Sequence, residues 1–160
     1  MTDFDAAFPA LAAIANRVAF RILGDRSDAE EVTQEALARA YARWSSVAGH
    51  AEPWVATVAA NLAIGRWRKR RPTVPFSPEH GGVVDAVELE RLGLVTALRQ
   101  LPKRQREVVV LRYLADLSEA EVAAQLSTSV GTVKQHAHRG LARLRSEMQQ
   151  QEVDGVRAPG

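Results

Sequence analysis

Residues 117–145 read LSEAEVAAQLSTSVGTVKQHAHRGLARLR. This stretch decides the fold, because it spells a helix, a tight turn and a second, longer helix. Ser118 is a good N-cap, and Glu121 three residues later completes a capping box. Val122 and Leu126, four apart, give the first helix an apolar edge. Ser127-Thr128-Ser129 breaks the pattern, and Ser129 suits the cap of a new helix. The apolar side of that helix is Val133, Ala137, Leu141 and Leu144. Its other sides carry Thr132, Lys134, Gln135, His138, Arg139, Arg143 and Arg145. Two helices around a short turn, the second rich in groups that bond bases and phosphates, form the helix-turn-helix pattern.

The totals bound what this DNA reader is attached to. The chain has 160 residues, enough for one medium domain or two small ones. Aromatic residues make up only 6%, so Ala, Val and Leu must build the core, which favours helices over sheets. The formal charge is +2 and the pI about 9.4, with Lys69, Lys103 and Lys134 the only lysines. Net charge therefore does not announce a nucleic-acid binder; its distribution does. There is no cysteine, which excludes disulfides, cysteine nucleophiles and thiolate metal sites and fits a reducing cytoplasm. The N-terminus lacks a basic start followed by an apolar run, so no signal peptide is expected. The apolar stretch around Trp54–Gly65 is too short for a bilayer span, so no membrane insertion is expected.

Upstream, Phe4 to Leu23 predicts a helix with Phe8, Leu11, Ile14 or Ala15, Val18 and Ile22 at helical spacing. Ser27-Asp28-Ala29-Glu30 reads as a second capping box, opening a helix to about Trp44. Its apolar face is Val32, Ala36, Leu37, Ala40, Tyr41 and Trp44. Asp28, Glu30, Glu31, Gln34 and Glu35 crowd its first turns, and Arg39 and Arg43 its last, as the helix dipole favours. The acidic edge could meet a basic partner. Ser45–Glu52 reads as a loop. A third helix is expected from Pro53 to about Arg70, with Trp54, Val55, Val58, Leu62 and Ala63 inward. It ends in Arg66-Trp67-Arg68-Lys69-Arg70-Arg71, where five cations exceed what a helix end requires and suit phosphates. Trp67 admits two readings, stacking on an unpaired base or core packing; Trp44 and Trp54 lie in apolar stripes and read as core.

From Pro72 to Glu90 there is no Lys or Arg, and the composition turns Pro-, Gly- and acid-rich, as in a linker. Helical spacing returns over Asp85–Leu101. Another helix follows from Pro102 with Val108, Val109, Leu111 and Leu114 inward, and then the helix-turn-helix. The expectation is an all-α chain of two small helical domains: residues 1–72, a flexible acidic linker at 73–84, residues 85–151 with the helix-turn-helix, and a disordered tail at 152–160.

Catalytic signals are lacking. There is no Gly-rich phosphate loop and no serine elbow. His136 and His138, two apart, point to different sides of a helix, and His50 and His80 lie in expected loops, so no metal-ligand pair forms. No enzyme activity, cofactor or metal is expected.

These blocks together resemble the extracytoplasmic-function type of bacterial RNA polymerase sigma factor. GDRSDAEEVTQEALARAYARW (24–44) looks like that family's core-polymerase-binding helix. EPWVATVAANLAIGRWRKRR (52–71) is similar to the helix that reads and melts the minus-10 promoter element. Residues 101–145 resemble the domain that reads the minus-35 element. The Arg-rich, Lys-poor usage and the GLARLR ending are similar to a subgroup common in high-GC actinobacteria.

The resemblance implies roles. Asp28, Glu31, Gln34 and Glu35, with Arg39 nearby, would face the clamp helices of core RNA polymerase. Asn61, Arg66, Trp67, Arg68, Lys69 and Arg70 would serve the minus-10 region, and the Ser45–Glu52 loop would lie near the flipped base. Thr132, Lys134, Gln135, His138, Arg139 and Arg143 would enter or flank the major groove at minus-35. The acidic linker would thread toward the RNA exit path. Core polymerase and promoter DNA are the implied partners, with an anti-sigma protein added because many family members are held by one. Three departures stand out. Ser127 holds a turn position where the family often has Gly, Val130 stands for Glu, and Gln135-His136-Ala137 stands for Ser-Arg-Leu. The last two bear on which DNA sequence is preferred. A stand-alone helix-turn-helix regulator is the alternative, but it leaves the acidic helix and the RWRKRR run unexplained. A protein that sequesters another factor through its acidic helix is a third.

Overall fold

A computed structural model describes residues 3–70 and 86–156. All regular structure among these residues is helical: α1 (Asp3–Leu23), α2 (Arg26–Ala42), α3 (Trp44–Val47), α4 (Ala51–Arg70), α5 (Ala86–Gln100), α6 (Lys103–Val109), α7 (Glu119–Gln125) and α8 (Val130–Val156). The expected linker at 73–84 lies outside the described residues.

In the first domain α1 packs on both α2 and α4. Leu11, Ala15, Val18 and Ile22 of α1 are buried against Val32, Ala36 and Ala40 of α2 and Val55, Ala56, Ala59 and Ala63 of α4. The many alanines let the helix axes approach closely, as ridges settle into shallow grooves. By length and composition α1 could cross a membrane, and it is a longer apolar stretch than Trp54–Gly65. Leu11, Ala15, Val18 and Ile22 on one side of it are buried between α2 and α4, which makes it the central core helix of this domain.

Several local expectations are corrected. Gly24, at φ 69°, ends α1. Asp25, not Ser27, then caps α2, its carboxylate accepting from the Asp28 N–H at 2.9 Å. Asp and Ser are equally good caps, so sequence alone did not choose between them. The expected loop 45–52 is helical for much of its length. α3 is followed by a 3₁₀ turn over Ala48–His50, and α4 starts at Ala51. Pro53 still falls in the first turn of α4, where its missing N–H costs nothing. Phe8 and Tyr41 were expected inward, yet are 44% and 65% exposed. Both stand edge-on to the buried Phe4, with centroids 5.9 and 5.2 Å away, as does Trp44 at 5.2 Å. The cluster closes the end of the bundle with Phe4 inside, Trp44 half-buried and Phe8 and Tyr41 facing solvent.

The second domain is built on α8, which meets α5, α6 and α7. Pro102 precedes α6, which widens into a π-type turn over Val110–Leu114; there the Ala115 N–H reaches back to the Val110 carbonyl at 2.9 Å. Val108, Leu111, Val122, Val133, Ala137 and Leu144 fill the core. Arg106 fastens the end of α5, its guanidinium donating to the Leu98 and Arg99 carbonyls at 2.9 Å and to Leu101 at 3.1 Å. Gly140 sits where α8 crosses α6. A Cβ there would lie 2.7 Å from Val109 Cγ2, so any larger residue would force that buried side chain to shift. α8 also runs into the segment expected to be a patternless tail, reaching Val156. Residues 146–152, SEMQQQE, are mostly good helix formers with no stop signal, so the helix carries on past its apolar stripe.

Candidate nucleic-acid and polymerase interfaces

The helix-turn-helix forms as its sequence dictates. Ser118 and Glu121 make the full capping box. Ser127 holds the turn with φ 53°, a left-handed conformation that glycine adopts more easily. Ser129 then caps α8, its hydroxyl accepting from the Thr132 N–H at 3.1 Å and lying 2.8 Å from Thr132 Oγ1. Thr132 is thereby half-buried in the cap. Beyond it Lys134, Gln135, His138, Arg139 and Arg143 are all exposed. Their spacing places them along one side of α8, opposite the buried Val133, Ala137 and Leu144. Lys134 Nζ lies 3.8 Å from Glu119 of α7, a loose pair that leaves it available to a phosphate. The geometry suits insertion of the N-terminal half of α8 into a major groove. There a Gln amide matches adenine, and an Arg fork matches guanine or phosphate.

The other candidate surface is differently made. Arg66, expected to bind DNA, and Asp28 and Glu31, expected to bind polymerase, converge. Arg66 Nη2 lies 3.0 Å from Asp28 Oδ1 and also bonds the Glu31 carboxylate. The reason is helical register: α4 crosses α2 so that the last turns of one meet the first turns of the other. Asp28 is only 8% exposed. It reads as a group that positions Arg66 more than as one presented to a partner. Glu31, Gln34 and Glu35 stay exposed, and Arg39 bonds Glu35 at 2.7 Å within α2. Gln34 also borders a shallow groove between α1 and α2 with Phe8, Ala12, Thr33 and Leu37.

Trp67 resolves toward its second reading. It is 5% exposed and belongs to the core, so in this conformation no base can stack on it. Lying four and three residues past Ala63 and Ile64, it continues the buried stripe of α4. Lys69 is exposed; the side chains of Arg68 and Arg70 lie outside the described residues. Asn61 is exposed, at the edge of a gap between α4 and α6 that Lys103, Arg106 and Glu107 also line.

Contacts between the domains were not foreseen. Arg17 and Arg21, one turn apart on α1, bond the residues that follow α6. The pair was visible as two exposed cations on a helix whose other side is apolar. Their partners lie more than ninety positions away, beyond the reach of any local pattern.

Comparison with known proteins follows the same division. The Sigma-70 region 2 profile matches residues 10–73, and the Sigma-70 region 4 profile matches residues 91–144. The two helical bodies thus fall in the class of sigma-70-type proteins. The RNA polymerase sigma-E factor of Streptomyces coelicolor is 39% identical over 148 residues, covering 86% of this chain and 81% of that protein. The ECF RNA polymerase sigma factor SigW of Bacillus subtilis is 34% identical over 152 residues, covering 82% and 81%. Among solved structures, CnrH in complex with the cytosolic domain of CnrY shares the fold, with a TM-score of 0.54 at 21% identity over 92% of this chain and 88% of that one. This chain belongs to the extracytoplasmic-function sigma factors, the promoter-specificity subunits of bacterial RNA polymerase.

Proposed function

We propose that the first domain docks on core RNA polymerase through the exposed acidic residues of α2, while α4 and α8 address the two elements of a promoter. Glu31, Gln34 and Glu35 would meet the polymerase, with Arg39 alongside and Asp28 holding the surface from behind. Lys69 and Asn61, with Arg66, Arg68 and Arg70, would serve the minus-10 region, and α3 with the following turn would border the melted strand. Thr132, Lys134, Gln135, His138, Arg139 and Arg143 would serve minus-35. The protein would act in the cytoplasm as an initiation factor with no catalysis of its own. An anti-sigma protein would compete for the α1–α2 surface.

The observation that carries this reading is the pairing of an exposed acidic helix with an exposed base-reading helix on separate bodies of one chain. A stand-alone regulator would need only the second. Transcription in vitro with core polymerase tests the proposal. Promoter-dependent transcripts are expected with the wild type and should be lost with Gln34→Ala/Glu35→Ala, while binding of an isolated minus-35 duplex stays intact. Unchanged initiation by that double variant would overturn the assignment of α2.

A further inference from the structure

Lys134 is the only lysine of α8, and a carboxylate already stands beside it. Glu119 opens α7, where the helix dipole favours a negative charge. Its two oxygens face two different cations: Oε1 lies 3.9 Å from Arg112 Nη2, and Oε2 lies 3.8 Å from Lys134 Nζ. The three residues come from three elements, the turn after α6, α7 and α8. Arg112 is the fixed end. Its Nη1 donates to the Leu117 carbonyl at 2.7 Å, and its guanidinium lies 5.4 Å from the centroid of the Tyr113 ring. Arg112 and Glu119 are both half-buried, whereas the Lys134 side chain is 66% exposed and forms the free end. Among the described residues no carboxylate pairs with Arg139 or Arg143 in this way.

The place of this carboxylate has a consequence for DNA reading. A lysine ammonium is a point charge on a flexible stem, and any phosphate satisfies it. In a helix-turn-helix the first helix crosses the DNA backbone, and the start of the second enters the major groove. Glu119 and Lys134 sit where those two helices meet. A phosphate that reaches Lys134 therefore also meets the Glu119 carboxylate, and the repulsion offsets part of the attraction. A guanine edge carries no formal charge and offers the ammonium two acceptors, O6 and N7. Glu119 thus penalises the phosphate contact more than the base contact. Specificity is a difference of affinities, so a group that weakens the unselective contact raises it. Arg112 keeps the carboxylate in place when Lys134 leaves it.

We propose that Glu119 is a positioning residue for minus-35 reading: held by Arg112, it keeps Lys134 from settling on the phosphate backbone and directs it to a guanine edge. The inference deepens the proposed function of α8 and rests on that reading. The pair with Lys134 is exposed and loose, so the correct base displaces it at small cost, and the effect falls on discrimination and not on folding.

The test begins with duplexes selected from a random pool by the full-length chain. The selected duplex and an unrelated one are then titrated over a range of salt. Glu119→Gln keeps the length of the side chain and leaves the Ser118–Glu121 box intact. It should bind the unrelated duplex roughly threefold more tightly, as expected for loss of one exposed ion pair. Its salt slope there should steepen by about one, as Lys134 takes up a phosphate. Preference for guanine at one position of the selected duplex should fall by a similar factor. Lys134→Gln removes the group through which Glu119 acts, so adding Glu119→Gln to it should change none of these quantities further. A gain of the same size in the Lys134→Gln background would make Glu119 a general repulsive charge and overturn the inference. So would an unchanged guanine preference in Glu119→Gln, or an equal loss of affinity for both duplexes, the mark of a merely structural role. Failure of the sigma-factor reading looks different: a wild type that enriches no sequence would overturn the assignment of α8, and the inference with it, before any variant is compared.

Discussion

The two helices assigned to promoter DNA, α4 and α8, are built to opposite plans. On α8 the reading side chains stand in solvent, and the helix is held from behind by Val133, Ala137, Leu144 and the close crossing at Gly140. On α4 the corresponding groups are already engaged within the protein. Trp67 is in the core, Arg66 is bonded to two carboxylates of α2, and Asn61 borders the second domain. Under the proposed function the first surface is already free, whereas the second must be released or rearranged before all its groups can reach DNA. Because Arg66 joins the acidic helix to the basic one, whatever engages Glu31 also changes what Arg66 is free to do.

Trp67 offers the sharpest way to break this contrast. Trp67→Ala should destabilise the first domain by about 3–5 kcal/mol, as large-to-small core changes do, lowering the urea midpoint. Trp67→Leu keeps an apolar side chain without an aromatic face and should fold and still initiate transcription. A folded Trp67→Leu protein that cannot open a promoter would mean that the tryptophan leaves the core and stacks on DNA in the active complex.

Changes on α8 should leave stability alone and act on DNA. Gln135→Ala is expected to lose about 1–3 kcal/mol of discrimination at one base pair of the minus-35 element, measured by competition between duplexes. Arg139→Ala should weaken binding across all sequences and reduce the salt slope by about one. Loss of folding in either variant would show that α8 is not the free-standing surface described.

Arg66→Gln should show a mixed effect. Removing the guanidinium 3.0 Å from the buried Asp28 should cost about 1.5 kcal/mol, the lower end for a hydrogen bond to a charged group because Arg66 is partly exposed, and weaken minus-10 binding as well. A variant with native thermal stability and only a DNA defect would make Arg66 equivalent to Arg139 and erase the contrast. The smallest effect is expected at the turn. Ser127→Gly relieves the left-handed conformation at φ 53° and should raise the melting temperature modestly, by about 0.5–1 kcal/mol of stability. Reduced stability would mean that the Ser127 side chain contributes something its backbone does not reveal.

Much of the architecture was legible because it is local. The Ser118–Glu121 box, the Ser129 cap, the apolar stripe of α8 and the stop at Gly24 all rest on residues within a turn or two of each other. Ambiguity remained wherever two local choices were nearly equal in energy. Asp25 or Ser27 could cap α2, and residues 45–52 could be loop or short helical turns. Tyr41 fits the apolar period of α2 yet faces solvent, because periodicity gives direction around a helix and not the extent of the neighbour that covers it.

The sequence by itself determined the helices, most of their caps and the row of polar and basic groups exposed on α8, since each depends on side chains close along the chain. Only the tertiary structure decided that Trp67 belongs to the core, that Asp28 and Glu31 hold Arg66, that Gly140 admits α6, and that Arg17 and Arg21 reach the Asp116 turn. These contacts join residues dozens of positions apart. Their energies depend on helix crossings and burial, which no local pattern encodes.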